Sequence, residues 1–375
     1  MFACLAGGYS REPLTGLPDR IGEVRRAAAA GELDDPGHAA AVDDFVREIL
    51  DEQQRARLDV LCDGGVRWDD PFQPIIRGFG GLAAGGRIPL LDTGLSVQQP
   101  LAVGDIRWET PVYAQDWTFA MTGRDIPVKQ VLPGPYTLGR LTDAGSRSRE
   151  AVTLAYAEAL NQELRSIVEA GCLLIQVDED AAVAIGEHES ERSLFSEAQR
   201  RLLAGLEDPE LVHVSLAVSG GNAAAAGPAT FFDLPYSSYF YDLINGPENL
   251  QLILQAPPER GIICGAADAA VARPDDVEAL VYVMAWAATA NDRGSIRVAI
   301  APSGSLAQIP RNQARAKLEL LALTINVALA GPVAEVAVAL EPDPLHNRQY
   351  PDLRRLAAQY EAARAAIGLA PAFSG

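Results

Sequence analysis

The sequence predicts an α/β protein, a (β/α)8 TIM barrel with an inserted β-hairpin or lid between its second and third strands. Three observations predict it. Short β-branched runs recur along the 375 residues, each followed by a longer amphipathic stretch, at a length that suits one large barrel. The runs are almost continuously apolar, as parallel strands covered on both faces require. The alternation breaks once, over the Gly- and Pro-rich stretch 65–124.

The strands expected, in order, are Phe2–Gly7, Leu58–Asp63, Lys129–Gly134, Leu173–Glu179, Leu211–Ala217, Leu250–Leu254, Gly261–Ala266 and Ile296–Ser303. Helix-like segments between and after them include Ala39–Arg57, Ser148–Ala170, Glu191–Leu206, Asp275–Thr289 and Arg311–Ala330. In the last, Leu318, Leu321, Ile325 and Leu329 fall at spacings of three and four, one apolar stripe. Residues 65–124 carry short alternating runs, Arg87–Leu91 and Val112–Met121, and loops of such length are usually functional. The stretch is therefore expected to form a lid or substrate wall over the mouth of a single barrel domain covering 1–375.

Composition narrows the function classes. Thirty-one Lys+Arg against 50 Asp+Glu give a formal net charge of −19. That argues against a nucleic-acid surface, since such affinity comes from Lys and Arg neutralising phosphates. No apolar stretch reaches the length of a membrane span, and the first residues lack the basic leader of a signal peptide. Cys4, Cys62, Cys172 and Cys264 are widely spaced, without a CxxC pair, so a disulfide scaffold is not expected. A cytoplasmic enzyme working on a small molecule is the expectation, with a homo-oligomer left open.

In a barrel the chemistry sits at the C-terminal strand ends. The polar residues there are Gly8-Tyr9-Ser10, Asp63 with Arg67, Pro133 to Thr137, Asp178-Glu179-Asp180, His213 with Ser215, Asp268 and Ser303. The acidic triplet closes the apolar run Leu173–Val177. Strand alternation puts Asp178 and Asp180 on one side and Glu179 on the other. A carboxylate there can bind an ammonium, act as a base or ligate a metal; equally it can cap a helix or pair with an arginine. His213 lies inside an apolar strand and reads as readily as a satisfied core residue as a functional one. Arg67 and Lys129 are the candidates to neutralise a substrate carboxylate. Six aromatics from Phe231 to Tyr241, Tyr239 among them, read either as a pocket wall or as a packing surface. No HExxH, GxSxG or P-loop pattern occurs.

Several segments in collinear order resemble the catalytic barrel of the cobalamin-independent methionine synthase family. Gly7-Gly8-Tyr9-Ser10-Arg11 looks like its N-terminal Gly-Ser-aromatic-Pro turn. Asp63-Gly64-Gly65-Val66-Arg67-Trp68-Asp69 is similar to its Asp-Gly-Glu-x-x-Arg-x-Asp element. Leu132–Leu138 is similar to its Gly-Pro-x-Thr segment, Ile175-Gln176-Val177-Asp178-Glu179 to its Ile-Gln-x-Asp-Glu, and Ser303-Gly304-Ser305-Leu306 with Ala316-Lys317-Leu318 to its Cys-Gly and Lys-Leu signature. Related uroporphyrinogen decarboxylase barrels share the architecture.

The resemblance implies methyl transfer from 5-methyltetrahydrofolate to a thiol held by zinc on a His-x-Cys pair, a Glu and a later Cys. Here His213 stands at the histidine, while Ser215 and Ser303 stand at the cysteines. No glutamate lies between Tyr241 and Asn245; the nearest is Glu248. A hydroxyl replaces neither the charge nor the softness of a thiolate, so zinc is not expected. The family's amino-acid-holding Glu is Gly65, its partner Asp178 is kept, the folate-stacking Trp is Leu141, and the proton-donor His falls near Ala270, beside Asp268. The expectation is a zinc-independent methyl or one-carbon transferase acting on an amine- or carboxylate-bearing metabolite. Asp178, His213, Glu179 and Asp268 would be catalytic, and Tyr9, Arg67, Lys129, Tyr136, Ser215, Ser303 and Tyr239 would bind substrate. 5-Methyltetrahydrofolate remains a candidate cofactor. Two other readings stay open: a metal-free decarboxylase or lyase of the uroporphyrinogen decarboxylase type, and a non-catalytic binding homologue.

Overall fold

The computed structural model describes residues 1–12, 20–29, 35–91 and 93–330. Among them the strands are β1 (Phe2–Ala3), β2 (Phe79–Pro89), β3 (Ser96–Trp108), β4 (Gln130–Pro133), β5 (Leu174–Asp178), β6 (His213–Val218), β7 (Ser238–Asp242), β8 (Gly261–Ala267) and β9 (Val298–Pro302). Seven form one curled parallel sheet, in the order β1-β9-β8-β7-β6-β5-β4. Its outer strands both lead to the segment between them in sequence. Cys4 bridges Val60 and Leu61 bridges Val128, both in parallel sense, and the Lys129 N–H donates to the Leu61 carbonyl at 2.9 Å.

The sixth expected strand is corrected. Leu250–Leu254 lies in a helix, Leu250–Gln255, and the strand at that place in the sheet is β7, inside the aromatic cluster. A short, mostly apolar run does not distinguish a buried strand from a buried helical turn. Here the surroundings decide. Arg293 donates to the carbonyls of Ile253 (3.3 Å) and Ala256 (3.2 Å), and Asn291 donates to those of Leu254 (2.6 Å) and Ala256 (3.1 Å). These donors satisfy the carbonyls a helix end leaves open. Ser238–Asp242 is buried at all five positions, which suits its aromatic and small side chains to a central strand.

Helices fall close to where periodicity places them, at Asp35–Arg55, Arg149–Glu169, Glu189–Leu203, Val277–Thr289 and Arg311–Ala330. Ser148 caps the second, its Oγ accepting from the Ala151 N–H, and Asp276 caps the fourth. In Arg311–Ala330 the stripe holds for Leu318, Leu321 and Ile325, but Leu329 is 59% exposed and Ala328 is buried instead. Val112–Met121, read as an extended run, contains the helix Tyr113–Met121.

Between Leu61 and β4 the antiparallel pair β2–β3 runs from Phe79↔Trp108 to Pro89↔Ser96. Glu163, fully buried on the helix Arg149–Glu169, anchors its base. One carboxylate oxygen accepts from Trp108 Nε1 at 2.6 Å, the other from the N–H groups of Val112 (2.9 Å) and Tyr113 (2.8 Å). Inside the sheet, Cys4, Ala6, Ala217, Phe240, Ile263, Ala299 and Ala301 form a small apolar cluster. The alanines leave room at either end of it, and a cavity opens at each. No helix of the described residues is long and apolar enough to cross a membrane.

Candidate active site

The C-terminal ends of the parallel strands surround a cavity of about 460 Å³. Its floor is Ala6, Ala217 and Phe240, and its rim comes from the loops after the strands and from β2–β3. Seven aspartates line it, Asp63, Asp69, Asp70, Asp116, Asp178, Asp180 and Asp242, against the cations Arg11 and Arg87.

These carboxylates differ in what they have left to give. Asp242 is saturated: it accepts from the N–H groups of Gly220 (3.0 Å), Ile244 (2.9 Å) and Asn245 (2.9 Å) and from Asn245 Nδ2 (2.8 Å). Asp70 accepts from the N–H groups of Phe72, Gln73 and Gln98 and from Arg87. Asp116 accepts from Trp68 Nε1 at 2.8 Å and pairs with Arg67. Asp178 and Asp63 are less committed. Asp178 Oδ1 accepts from Gln176 Nε2 at 2.7 Å, and Asp63 Oδ1 from the Gly65 N–H at 2.9 Å. Among the described residues, no donor reaches the second oxygen of either.

Burial raises these groups. Asp178 sits well above the usual carboxylate range, first because it is desolvated and then because Asp180 is close. Burial also lifts Asp180 to about 6, against the Ser219 hydroxyl hydrogen bond that pulls it down, and lifts Asp116 to about 6 against Arg67. Asp63 is raised for the same reason. Cys62, which lines the cavity, is pushed up to about 12 by burial and by Asp63, so it is a thiol at neutral pH.

The structure brings together only some of the residues expected from sequence. Tyr9, Asp178 and Ser303 line the cavity. Tyr9 presents its ring, while its hydroxyl donates to Glu52 Oε2 at 3.2 Å and Glu52 pairs with Arg311. Ser303 Oγ accepts from the Ala269 N–H at 3.1 Å. Glu179 points away, fully buried, accepting from the N–H groups of Tyr136 (3.0 Å) and Thr137 (2.7 Å), from Thr137 Oγ1 and from Gln199. It holds the start of the helix Pro135–Leu141, with burial raising it to about 7.

Others lie elsewhere. His213 opens β6, at the opposite end of the sheet, and shares a 2.9 Å hydrogen bond through Nε2 with Ser238; Ser215 lies 2.7 Å from the same hydroxyl. Both line a second cavity at that end, as does Lys129. Arg67 pairs with Asp43 (2.7 Å) and Asp116 (2.9 Å) and stacks on Phe119. Tyr136 donates to Glu191, and Tyr239 donates to the carbonyls of Phe231 and Leu234 inside the aromatic packing. Asp268 folds onto its own loop, accepting from the Ala270 and Val271 N–H groups. Asp242, Asp180 and Asp63 are among the cavity residues that the expected set omitted. Asp242 closes Tyr239-Phe240-Tyr241 as Asp178 closes Ile175-Gln176-Val177, a signal readable once Ser238–Asp242 is taken as a strand.

The donor set does not fit the zinc that the resemblance implies. His213 and Ser215 are at the wrong end, Asp242 has spent its accepting directions on N–H donors, and no three His, Cys, Asp or Glu of the described residues are grouped as a metal ion would need.

Residues 18–201 match the family described as cobalamin-independent synthase, catalytic domain. A methionine synthase of Sulfurisphaera tokodaii is 27% identical over 210 residues, 56% of this chain and 59% of that protein. The 5-methyltetrahydropteroyltriglutamate–homocysteine methyltransferase of Proteus mirabilis is 31% identical over 167 residues, 43% of this chain and 22% of its own length. The chain thus spans less than two thirds of the curated relatives it matches. Among solved structures, the B12-independent methionine synthase of Shewanella sp. W3-18-1, in complex with selenomethionine, superposes with a TM-score of 0.72 at 19% identity, covering 88% of this chain and 98% of that one. A Listeria monocytogenes structure described as a vitamin-B12-independent methionine synthase gives 0.69 at 16% identity, covering 87% and 97%. At these identities the superpositions speak for the fold. The sequence matches, over about half of the chain, make it similar to the cobalamin-independent methionine synthase family.

Proposed function

We propose that the chain transfers a methyl or other one-carbon group from a reduced pteridine to a small amino-acid acceptor, at the cavity formed by the C-terminal strand ends. In this reading residues 60–61 complete a single barrel as its remaining stave, and the insertion 65–124, with β2–β3, walls its mouth.

One observation carries the reading: the Asp178 carboxylate offers an unpartnered oxygen to the cavity while Gln176 fixes its other oxygen. An ammonium is the complement of such a group, and Asp63 offers a second free oxygen along the same wall. Arg11 and Arg87 put positive charge at the rim, where the acceptor's carboxylate would lie. Trp68, Phe72 and Tyr113 supply flat apolar surface for a pteridine. Homocysteine, the acceptor in the name of the Proteus relative, is the first to test.

The transfer balances without a metal step. The acceptor's lone pair attacks the methyl carbon, and the nitrogen–methyl bond pair returns to the pteridine nitrogen. The acceptor loses a proton and the nitrogen gains one. Asp180, held near 6 and hydrogen-bonded to Ser219, suits the accepting role, because a base works best with a value near the operating pH.

Calorimetric titration with homocysteine and with its analogue lacking the amine tests the reading. Binding at least tenfold tighter for the amine-bearing compound, lost in Asp178→Asn, is expected. Equal affinity for both compounds would remove the ammonium role, and release of CO2 without any pteridine would point to a decarboxylase instead.

A further inference from the structure

The opposite end of the sheet opens into a second cavity, of about 560 Å³, separated from the first by the alanine-rich cluster around Phe240. Its walls are apolar, with Phe2, Val60, Ile262 and Ile263. Its inner end is not. There His213 Nε2, Ser238 Oγ and Ser215 Oγ form a hydrogen-bonded row with separations of 2.9 and 2.7 Å. Lys129, 7% exposed, lines the same end. Its ammonium donates to Gln176 Oε1, and among the described residues its other two N–H bonds find no acceptor. Arg260 and Arg297 stand at the opening with Glu259, so the charged lining is Lys, Arg and Arg against one Glu, a formal +2 in a chain of net −19.

The rim is unusual in another way. Leu173 (62% exposed), Leu211 (47%) and Ile296 (76%), which precede β5, β6 and β9, leave large apolar side chains in solvent at this one end of the sheet. A buried ammonium short of acceptors favours an anion, since an unpaired charge away from water is costly. The apolar walls and rim favour a hydrocarbon body.

We propose that this cavity is a second binding site, for a small amphipathic carboxylate whose head group meets Lys129 and the Ser215–Ser238–His213 row and whose apolar body lies along Phe2, Val60 and Ile263. The site is joined to the mouth by a short chain of hydrogen bonds. Lys129 donates to Gln176 Oε1, and Gln176 Nε2 donates to Asp178 Oδ1 at 2.7 Å. A carboxylate on Lys129 competes with Gln176 for the ammonium, so occupancy of one end alters the support of Asp178 at the other.

Titration of the whole chain with octanoate and with octan-1-ol tests the site, beside the variants Lys129→Met and Arg297→Glu. Octanoate is expected to bind and to raise Tm, at least tenfold more tightly than the alcohol, and each variant is expected to weaken it at least fivefold. Arg297 is exposed and lines this cavity alone, so R297E reports on this end even if K129M folds poorly. Failure of octanoate to bind, equal affinity for the alcohol, or unchanged binding by R297E would overturn the proposal.

Discussion

Asp178 and Glu179 are neighbours in sequence with opposite tasks. Strand alternation separates them: Asp178 faces the cavity with an oxygen to spare, while Glu179 spends both oxygens on the helix start beyond β4. The consequences of removing each differ accordingly. Glu179→Ala strands two backbone donors and the side chains of Thr137 and Gln199 in the buried interior, and should cost about 3–5 kcal/mol in chemical denaturation. Asp178→Asn removes a carboxylate that burial already holds above its ordinary range, so it should raise Tm while weakening amine ligands. The same elevation means that the empty site keeps protons which a bound ammonium displaces. Calorimetry in buffers of different ionisation enthalpy, repeated across a pH series, should therefore show proton release on amine binding in the parent chain, reduced in Asp178→Asn. Alternation puts Asp178 and Asp180 on one side of the strand, yet the expected set took Asp178 with Glu179 and left Asp180 out. His213 was not legible, because a strand's residues do not reveal which of them stands at the mouth: β6 begins at His213, in register with Leu174, and reaches the cavity only at Ala217.

The elements were legible where periodicity is long and failed where an apolar run is short. The helices Arg149–Glu169 and Arg311–Ala330 each repeat their apolar spacing over several turns, whereas Leu250–Leu254 offers four apolar residues around Gln251, too few to show a period. Its helical state depends on Arg293 and Asn291, some 40 residues on, and such a cap is invisible locally. Connections near the mouth are tighter than their glycine content alone implies. Gly64 adopts φ +69°, and a Cβ there would lie 2.6 Å from the Tyr9 Cβ. Gly64→Ala should cost about 1–3 kcal/mol, through strain and displacement of Tyr9, and should weaken ligands at the mouth as well. Thermal denaturation beside ligand titration checks both effects; a stability loss with unchanged binding would detach Tyr9 from the site.

At the scale of the whole molecule, the buried acids set the pH response. Asp116 and Asp180 at about 6 and Glu179 at about 7 lie above their unfolded values, so between pH 5 and 7 the folded chain holds protons that the unfolded chain releases. Stability should therefore rise as pH falls from 7.5 towards 5, helped by relief of the −19 net charge. Glu191 has the opposite sign. Its hydrogen bond and ion pair with Arg149 hold it near 2, so its contribution, present above about 4.5, is lost as pH falls towards 2. A Tm profile peaking near pH 5, with a shallower alkaline limb in Glu179→Gln, is the expected result. The sequence foretold the parallel α/β architecture and the acidic strand ends, because both follow from local pattern. It did not foretell that the cationic lining of the second cavity gathers at the far end, since that depends on the register of the sheet. The most direct test of the account follows a labelled methyl group from 5-methyltetrahydropteroyltriglutamate to homocysteine in the parent chain and in Asp178→Asn. Label in the acceptor with the parent chain, and a rate at least a hundredfold lower in the variant, is the expected result. Transfer at the same rate in both, or none in the parent chain, would contradict it.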